Sequence, residues 1–148
     1  MSIKRTNSDD PDFINLVALL DKDLAIRDGV DHSFYNQFNK TDKIKHTIVY
    51  YENDVPVGCG AFREKESDKT EIKRMYVHPD YRKKGIASAI LKELEIWAKE
   101  VGYTYTILET GKKQPEAINL YQKLNYTIIP NYPPYEEMDN SVCMKKTL

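Results

Sequence analysis

The sequence predicts an α/β domain built on one dominant mixed sheet. Two patterns carry this expectation. Near His46 the hydrophobic period changes from a helical stripe to β-branched and aromatic alternation, and strand signals resume on both sides of a long amphipathic stretch, Ile86–Val101. The 148 residues lead us to expect a single domain over 1–148.

A short strand over 2–6 opens the chain. Asp9, Asp10 and Pro11 supply an N-cap and a first-turn proline, after which Phe13, Leu16, Val17, Leu20 and Leu24 recur at helical spacing until Asp28-Gly29. A second short helix is predicted over 33–38, ahead of a polar stretch over 39–45. HTIVYYE (46–52) and VPVGCGAFRE (55–64), separated by Asn53-Asp54, read as a hairpin, and TEIKRMYV (70–77) as a third strand of the meander. Strict alternation there puts Glu71, Lys73, Met75 and Val77 on one face and Ile72, Arg74 and Tyr76 on the other.

The longest helix covers Ile86–Val101, with Ile86, Ile90, Leu94, Trp97, Ala98 and Val101 inward and Gly102 as its stop. TYTILET (104–110) reads as a strand, Pro115 opens a helix to Leu124, and 126–129 is a further strand. A loop over 131–139, with Pro133-Pro134, precedes the last strand, 142–146. A meander followed by βαβ crossovers requires a mixed sheet with helices packed on it.

Hydrophobic residues at 41%, aromatics at 11% and charged residues at 30% are enough to bury a core and exclude a disordered chain. Lys plus Arg number 22 against 23 Asp plus Glu, a formal charge of -1, so there is no basic surplus to neutralise a nucleic acid. No run approaches the roughly 20 apolar residues that span a bilayer. MSIKRTNSDD lacks a signal peptide's apolar core, so a soluble, cytoplasmic protein without a membrane partner is expected. Cys59 and Cys143 lack CxxC spacing and His32, His46 and His78 are scattered, which argues against a disulfide framework and a metal site and for two idle thiols.

The segment richest in chemistry is Arg82-Lys83-Lys84-Gly85-Ile86-Ala87, where a strand ends and the long helix begins. The first-turn N–H groups of a helix have no intrahelical partner and carry the positive end of its dipole, which suits a phosphate. Gly85 lets a ligand approach the backbone, Ala87 keeps the next turn small, and Arg82, Lys83 and Lys84 add mobile charge. Read without this context, the segment is a solvated basic turn.

These residues match Q/R-x-x-G-x-G/A, and the sequence here resembles the GCN5-related N-acetyltransferase (GNAT) family, whose acetyl-CoA motif this is. Downstream, Ala117, Leu120, Tyr121, Lys123 and Tyr126 match the family's A-x-x-L-Y-x-K-x-G-[FY], with Asn125 in the glycine place. Asn tolerates the left-handed conformation needed there. The resemblance implies a mostly antiparallel central sheet with one splayed parallel pair, flanked by helices. It also implies acetyl-CoA as co-substrate, no metal, and transfer of acetyl to an amine by direct attack in a ternary complex.

By the same resemblance, the backbone N–H of Met75 would hold the thioester carbonyl, and the backbone of Tyr76 and Val77 would follow the pantetheine arm. Arg82, Lys83, Lys84, Gly85, Ile86 and Ala87 would hold the pyrophosphate, with Asn119 and Gln114 as further cofactor contacts. Glu71 is the expected general base, needed because an alkylammonium has no lone pair until it loses a proton. Glu109 is the substitute, and the competing reading is Glu71 as a surface residue paired with Lys73 or a neighbouring strand's cation. Tyr121 is expected near the CoA sulfur as proton or hydrogen-bond donor; as a helix-stripe residue it is otherwise a core-edge tyrosine.

The acceptor would be lined by 28–38 and 130–138, where Tyr132, Tyr135, Glu136 and Glu137 suit a cationic amine. The partner expected is thus a small-molecule or peptide amine, with the chain a monomer or homodimer. The alternatives are acetylation of a protein lysine or N-terminus, and a CoA-binding sensor domain without turnover.

Overall fold

A computed structural model describes residues 1–31 and 43–148, so the helix expected over 33–38 lies outside the described residues. Seven strands form one sheet: β1 (Ser2–Thr6), β2 (His46–Glu52), β3 (Val55–Glu66), β4 (Lys69–Val77), β5 (Tyr105–Gly111), β6 (Thr127–Ile129) and β7 (Ser141–Thr147). Their order is β1-β2-β3-β4-β5-β7-β6, and every neighbouring pair is antiparallel except β4–β5.

Local chemistry explains the boundaries. Helix α1 (Pro11–Asp28) starts where the Asp10 carboxylate accepts from the N–H groups of Asp12 and Phe13 at 2.9 and 3.4 Å, and it stops at Gly29, whose φ is 56°. Asn53 and Asp54 take φ of 49° and 64°, the two positive values a tight two-residue hairpin needs. Helix α2 (Ile86–Val101) ends at Gly102, φ 113°, whose N–H returns to the carbonyls of Ala98 and Lys99. Helix α3 (Pro115–Lys123) is followed by Asn125 at φ 73°, the left-handed conformation expected for the residue standing in the glycine place.

The helices cover opposite faces. Ile86, Ile90, Leu91, Leu94 and Ala98 of α2, with Tyr121 of α3, pack on Ile48, Phe62, Ile72, Leu108 and Met144 of the sheet. Phe13, Leu16, Val17 and Leu20 of α1 pack on Val49, Cys59, Ala61 and Tyr76 from the other side. The inward stripe of α2 differs from expectation at two places: Leu91 is buried and Val101 is exposed. A helix lying flat on a sheet needs a stripe wider than one row, and Leu91 widens it.

Strand β7 enters between β5 and β6, so the second crossover does not create a second neighbouring parallel pair. Residues 130–140, which lead into it, fold over the α1 side of the sheet, where Tyr135 packs on Cys143 with Tyr132, Met138 and Ile129 around it. Among the described residues no helix is long and apolar enough to cross a membrane.

Candidate active site

The parallel pair β4–β5 lasts only three positions, Lys69↔Tyr105, Thr70↔Thr106 and Glu71↔Ile107. Beyond it, Ala61 faces Lys73 and Cys59 faces Tyr76, so Arg74 and Met75 together oppose the single residue Gly60. This is a β-bulge, with Arg74 at φ 60°. The extra residue bends β4 away from β5. A cleft of about 120 Å³ opens between them, lined by Glu71, Lys73, Arg74 and Met75 of β4, Glu109 and Thr110 of β5, Ala117 and Tyr121 of α3, and Leu20 and Leu24 of α1, with Gln114 and Tyr135.

The bulge overturns strict alternation in β4. Ile72, Met75 and Val77 pack on the α2 side, whereas Tyr76 packs on the α1 side and Lys73 lies opposite Ala61 of that same face. Glu71, two residues before Lys73, shares its face, so Glu71 and Met75 present their side chains to opposite sides. Met75 lies past the last β4–β5 pair and has no register partner on β3. Glycine is required beneath it: a Cβ on Gly60 would stand 2.6 Å from Met75 Sδ, 2.8 Å from Ile90 Cγ2 and 2.9 Å from Leu94 Cδ1.

Residues 82–87 do not line this cleft; past the end of β4, α2 begins with Gly85 at φ 78° and with no side-chain cap, and the space where a Cβ would stand is open. Its first-turn N–H groups have no intrahelical acceptor, so the residues present fit a pyrophosphate. Lys83 and Lys84 are exposed beside it. Arg82 is not the mobile charge expected: its Nε donates to the Val77 carbonyl at 2.8 Å and its guanidinium lies over the Tyr76 ring. It fastens the loop onto the end of β4 and takes one of the two acceptor positions of the Val77 carbonyl. Replacing Gly85 with alanine is expected to cost about 1 kcal/mol, because a side chain disfavours positive φ even in open space. Thermal melting and the KM for acetyl-CoA check this, the KM rising with little change in kcat.

On the α1 side the carboxylate of Glu71 is 1% exposed. Arg63 Nε donates to Oε1 at 3.1 Å with Nη2 also at 3.1 Å, and the Tyr132 hydroxyl donates to Oε2 at 2.7 Å. Glu71 therefore does pair with a neighbouring strand's cation, yet as a buried group at the cleft and not as a surface residue. A carboxylate has about four acceptor positions. Among the described residues three are taken, two on Oε1 and one on Oε2.

Glu109 faces the same space, since its charge acts on Tyr121, Tyr135 and Lys73. Burial first, and Glu109 second, push the Tyr121 phenol above the ordinary tyrosine range, so it holds its proton at neutral pH. Burial, then Glu71, does the same to Tyr132. Burial lowers Lys73 against the pull of Glu71. The two thiols are buried, and burial raises Cys59 to about 12 and Cys143 to about 11, so neither supplies a thiolate at neutral pH.

The fold thus brings Glu71, Met75, Glu109, Gln114 and Tyr121 to one cleft. It leaves Asn119 exposed on α3, and Glu136 and Glu137, expected to face the amine, exposed and outside the lining. Their loop instead contributes Tyr135 to the lining and the Tyr132 hydroxyl to the Glu71 carboxylate. Of the other expected lining, the part beyond Asp31 lies outside the described residues. Sequence reasoning missed Arg63 and Arg74. The signal available for Arg74 was a cation set between Ile72 and Tyr76 in the alternation of its strand.

A mixed sheet opened at its one parallel pair, beside an uncapped helix start, defines an acyl-CoA N-acyltransferase fold. The family model of the Acetyltransferase (GNAT) family matches residues 13–126. The chain is 33% identical over 100 residues to the uncharacterised N-acetyltransferase YsnE of Bacillus subtilis, covering 66% of each protein. It is 36% identical over 102 residues to the IAA acetyltransferase of Azospirillum brasilense, covering 68% of this chain and 67% of that one. The matches thus span about two thirds of these relatives' lengths. A solved structure of a candidate acyl-CoA N-acyltransferase from Klebsiella pneumoniae superposes with a TM-score of 0.81 at 30% identity, over 99% of this chain and 97% of that one. The chain belongs to the GNAT family of acetyl-CoA-dependent N-acetyltransferases.

Proposed function

We propose that the protein transfers the acetyl group of acetyl-CoA to a primary amine of a small molecule or peptide, by direct attack while both are bound. The opening of β4 from β5 at the Arg74–Met75 bulge carries this reading. It gives a cleft lined by two carboxylates, on the strand whose far end leads through residues 78–85 into the uncapped start of α2. Fold neighbours point the same way: an aminoglycoside 6'-N-acetyltransferase with coenzyme A, TM-score 0.75 at 17% identity, and an acetyltransferase from Elizabethkingia anophelis with acetyl-CoA, TM-score 0.70 at 17% identity.

Acetyl-CoA supplies an activated thioester. The chain's own contribution is positional and electrostatic. The Lys84–Ala87 backbone holds the pyrophosphate, and the Met75 amide donates to the carbonyl oxygen as negative charge gathers on it. Glu71 takes the ammonium proton, directly or through a water; Glu109 is the alternative from across the cleft. Tyr121, kept protonated by burial, donates to the departing sulfur. The raised Cys59 and Cys143 favour direct attack over an acyl-cysteine route.

The deciding experiment measures CoA release from acetyl-CoA across a panel of amines. Turnover on an amine establishes the reading. Tight acetyl-CoA binding without turnover on any acceptor would make the chain a sensor instead. For Tyr121→Phe, kcat should fall about a hundredfold with the acetyl-CoA dissociation constant nearly unchanged. Equal turnover across pH would remove the tyrosine's role as donor.

A further inference from the structure

Four ionisable side chains of opposite sign line the cleft: Glu71 and Glu109, Lys73 and Arg74. Acetyl transfer to an amine accounts for the carboxylates. It leaves the cations unexplained.

Arg74 is the more informative. The bulge sets its backbone at φ 60°, and its side chain is only 3% exposed. Nη2 donates to Asp21 of α1 at 2.9 and 3.0 Å, whereas Nε and Nη1 have no hydrogen-bond partner among the described residues. A guanidinium carries five N–H donors, and buried donors are almost always satisfied. Here three are left over, on a group held where Leu20 and Leu24 of α1 close the cleft. Lys73 shares its face of β4, which places two positive charges within the same lining as the two carboxylates.

This arrangement discriminates among amines. A polyamine or an aminoglycoside would set its further positive charges against Arg74 and Lys73. A molecule with one ammonium and one carboxylate meets an opposite charge for each.

We propose that the acceptor is an amine that also bears a carboxylate, an amino acid or short peptide, with Arg74 receiving the carboxylate and Lys73 supporting it. This rests on the acetyl-transfer reading above. It adds a specificity-determining residue that the catalytic chemistry does not require.

The test compares kcat/KM for sets of acceptors matched in side chain: the free amino acid, a dipeptide with that N-terminal residue, the amino acid amide, and the decarboxylated amine. The acid should exceed the amide and the decarboxylated amine by about ten- to a hundredfold, the worth of a charged hydrogen bond. The dipeptide arm separates a free amino acid from a peptide terminus. In Arg74→Gln the acid-to-amide ratio should fall to near one. That ratio does not depend on the folded fraction, and Lys73→Gln, expected to lower it less, serves where Arg74→Gln does not fold. An amide or decarboxylated amine used as well as the acid by the wild type would overturn the proposal. So would an unchanged ratio in Arg74→Gln or, where that variant does not fold, in Lys73→Gln.

Calorimetry on the CoA-loaded wild type keeps the two readings apart. Binding of the acid but not the amide, in a protein that releases no CoA from acetyl-CoA with either acceptor, supports the carboxylate site and sinks the transfer reading. Equal binding, or no binding of either, sinks the carboxylate site.

Discussion

Replacing Glu71 with glutamine is expected to lower kcat/KM by at least about a hundredfold, the lower end of what a positioned general base contributes. Glutamine keeps the shape, and its one carbonyl oxygen can still accept from Tyr132 while its amide group takes the place of the oxygen that faced Arg63, so the loss reports the missing basicity more than a disturbed fold. Arg63, half exposed, turns to solvent at small cost. The same measurement on Glu109→Gln locates the base: a larger loss there would move it across the cleft to β5. Full activity in both variants would leave the amine to lose its proton to solvent and remove the carboxylates from the chemistry. CoA release at saturating acetyl-CoA, with circular dichroism to confirm folding, reads all three outcomes.

Leu94→Ala should produce the largest loss of stability, about 3 kcal/mol, from the lost burial of its methyl groups and the cavity left behind. Leu94 is fully buried in the cluster that joins α2 to the sheet, and its Cδ1 lies close above Gly60, opposite the bulge. A loss of that size is a large share of the roughly 5–15 kcal/mol that holds such a domain together. The melting midpoint should fall by about 6–12 °C. Because Leu94 supports the residues beneath Met75, the KM for acetyl-CoA should rise as well. A midpoint within 2 °C of the wild type, on the order of the shift from less than 1 kcal/mol, would show that the core refills the space.

Much of the fold was legible in the chain because local rules decide it. The strand Ser2–Thr6, the strand His46–Glu52 and the helix Ile86–Val101 lie where period and punctuation place them. Asp10 and Pro11 start α1 and Asn53-Asp54 turns the hairpin, for reasons carried by those residues alone. The glycine motif was equally legible, since Gly85 at positive φ is a property of one residue. Asn125 behaved as its side chain allows.

The catalytic side was less so. Alternation in TEIKRMYV put Glu71 and Met75 on one face, and the bulge at Arg74 separated them. Whether a strand carries an extra residue depends on what opposes it, here Gly60 and the α2 side chains above it. The acidic pair Glu136-Glu137 was conspicuous in sequence, yet the loop turned Tyr132 and Tyr135 inward because aromatic rings gain more from burial than carboxylates do.

Composition, period and short motifs therefore sufficed for an α/β domain with an uncapped, glycine-led helix start, because each rests on interactions within a few residues. The pairing of Glu71 with Arg63 and Tyr132 joins residues 8 and 61 positions apart, the entry of β7 beside β5 residues 30 to 42 apart, and Arg74 held against Asp21 residues 53 apart. Contacts of that kind follow from which strand lies next to which, and a linear pattern of polar and apolar residues does not encode it. The α1 side of the cleft is made almost wholly of such contacts, and so its complement of charges emerged only once the chain was folded.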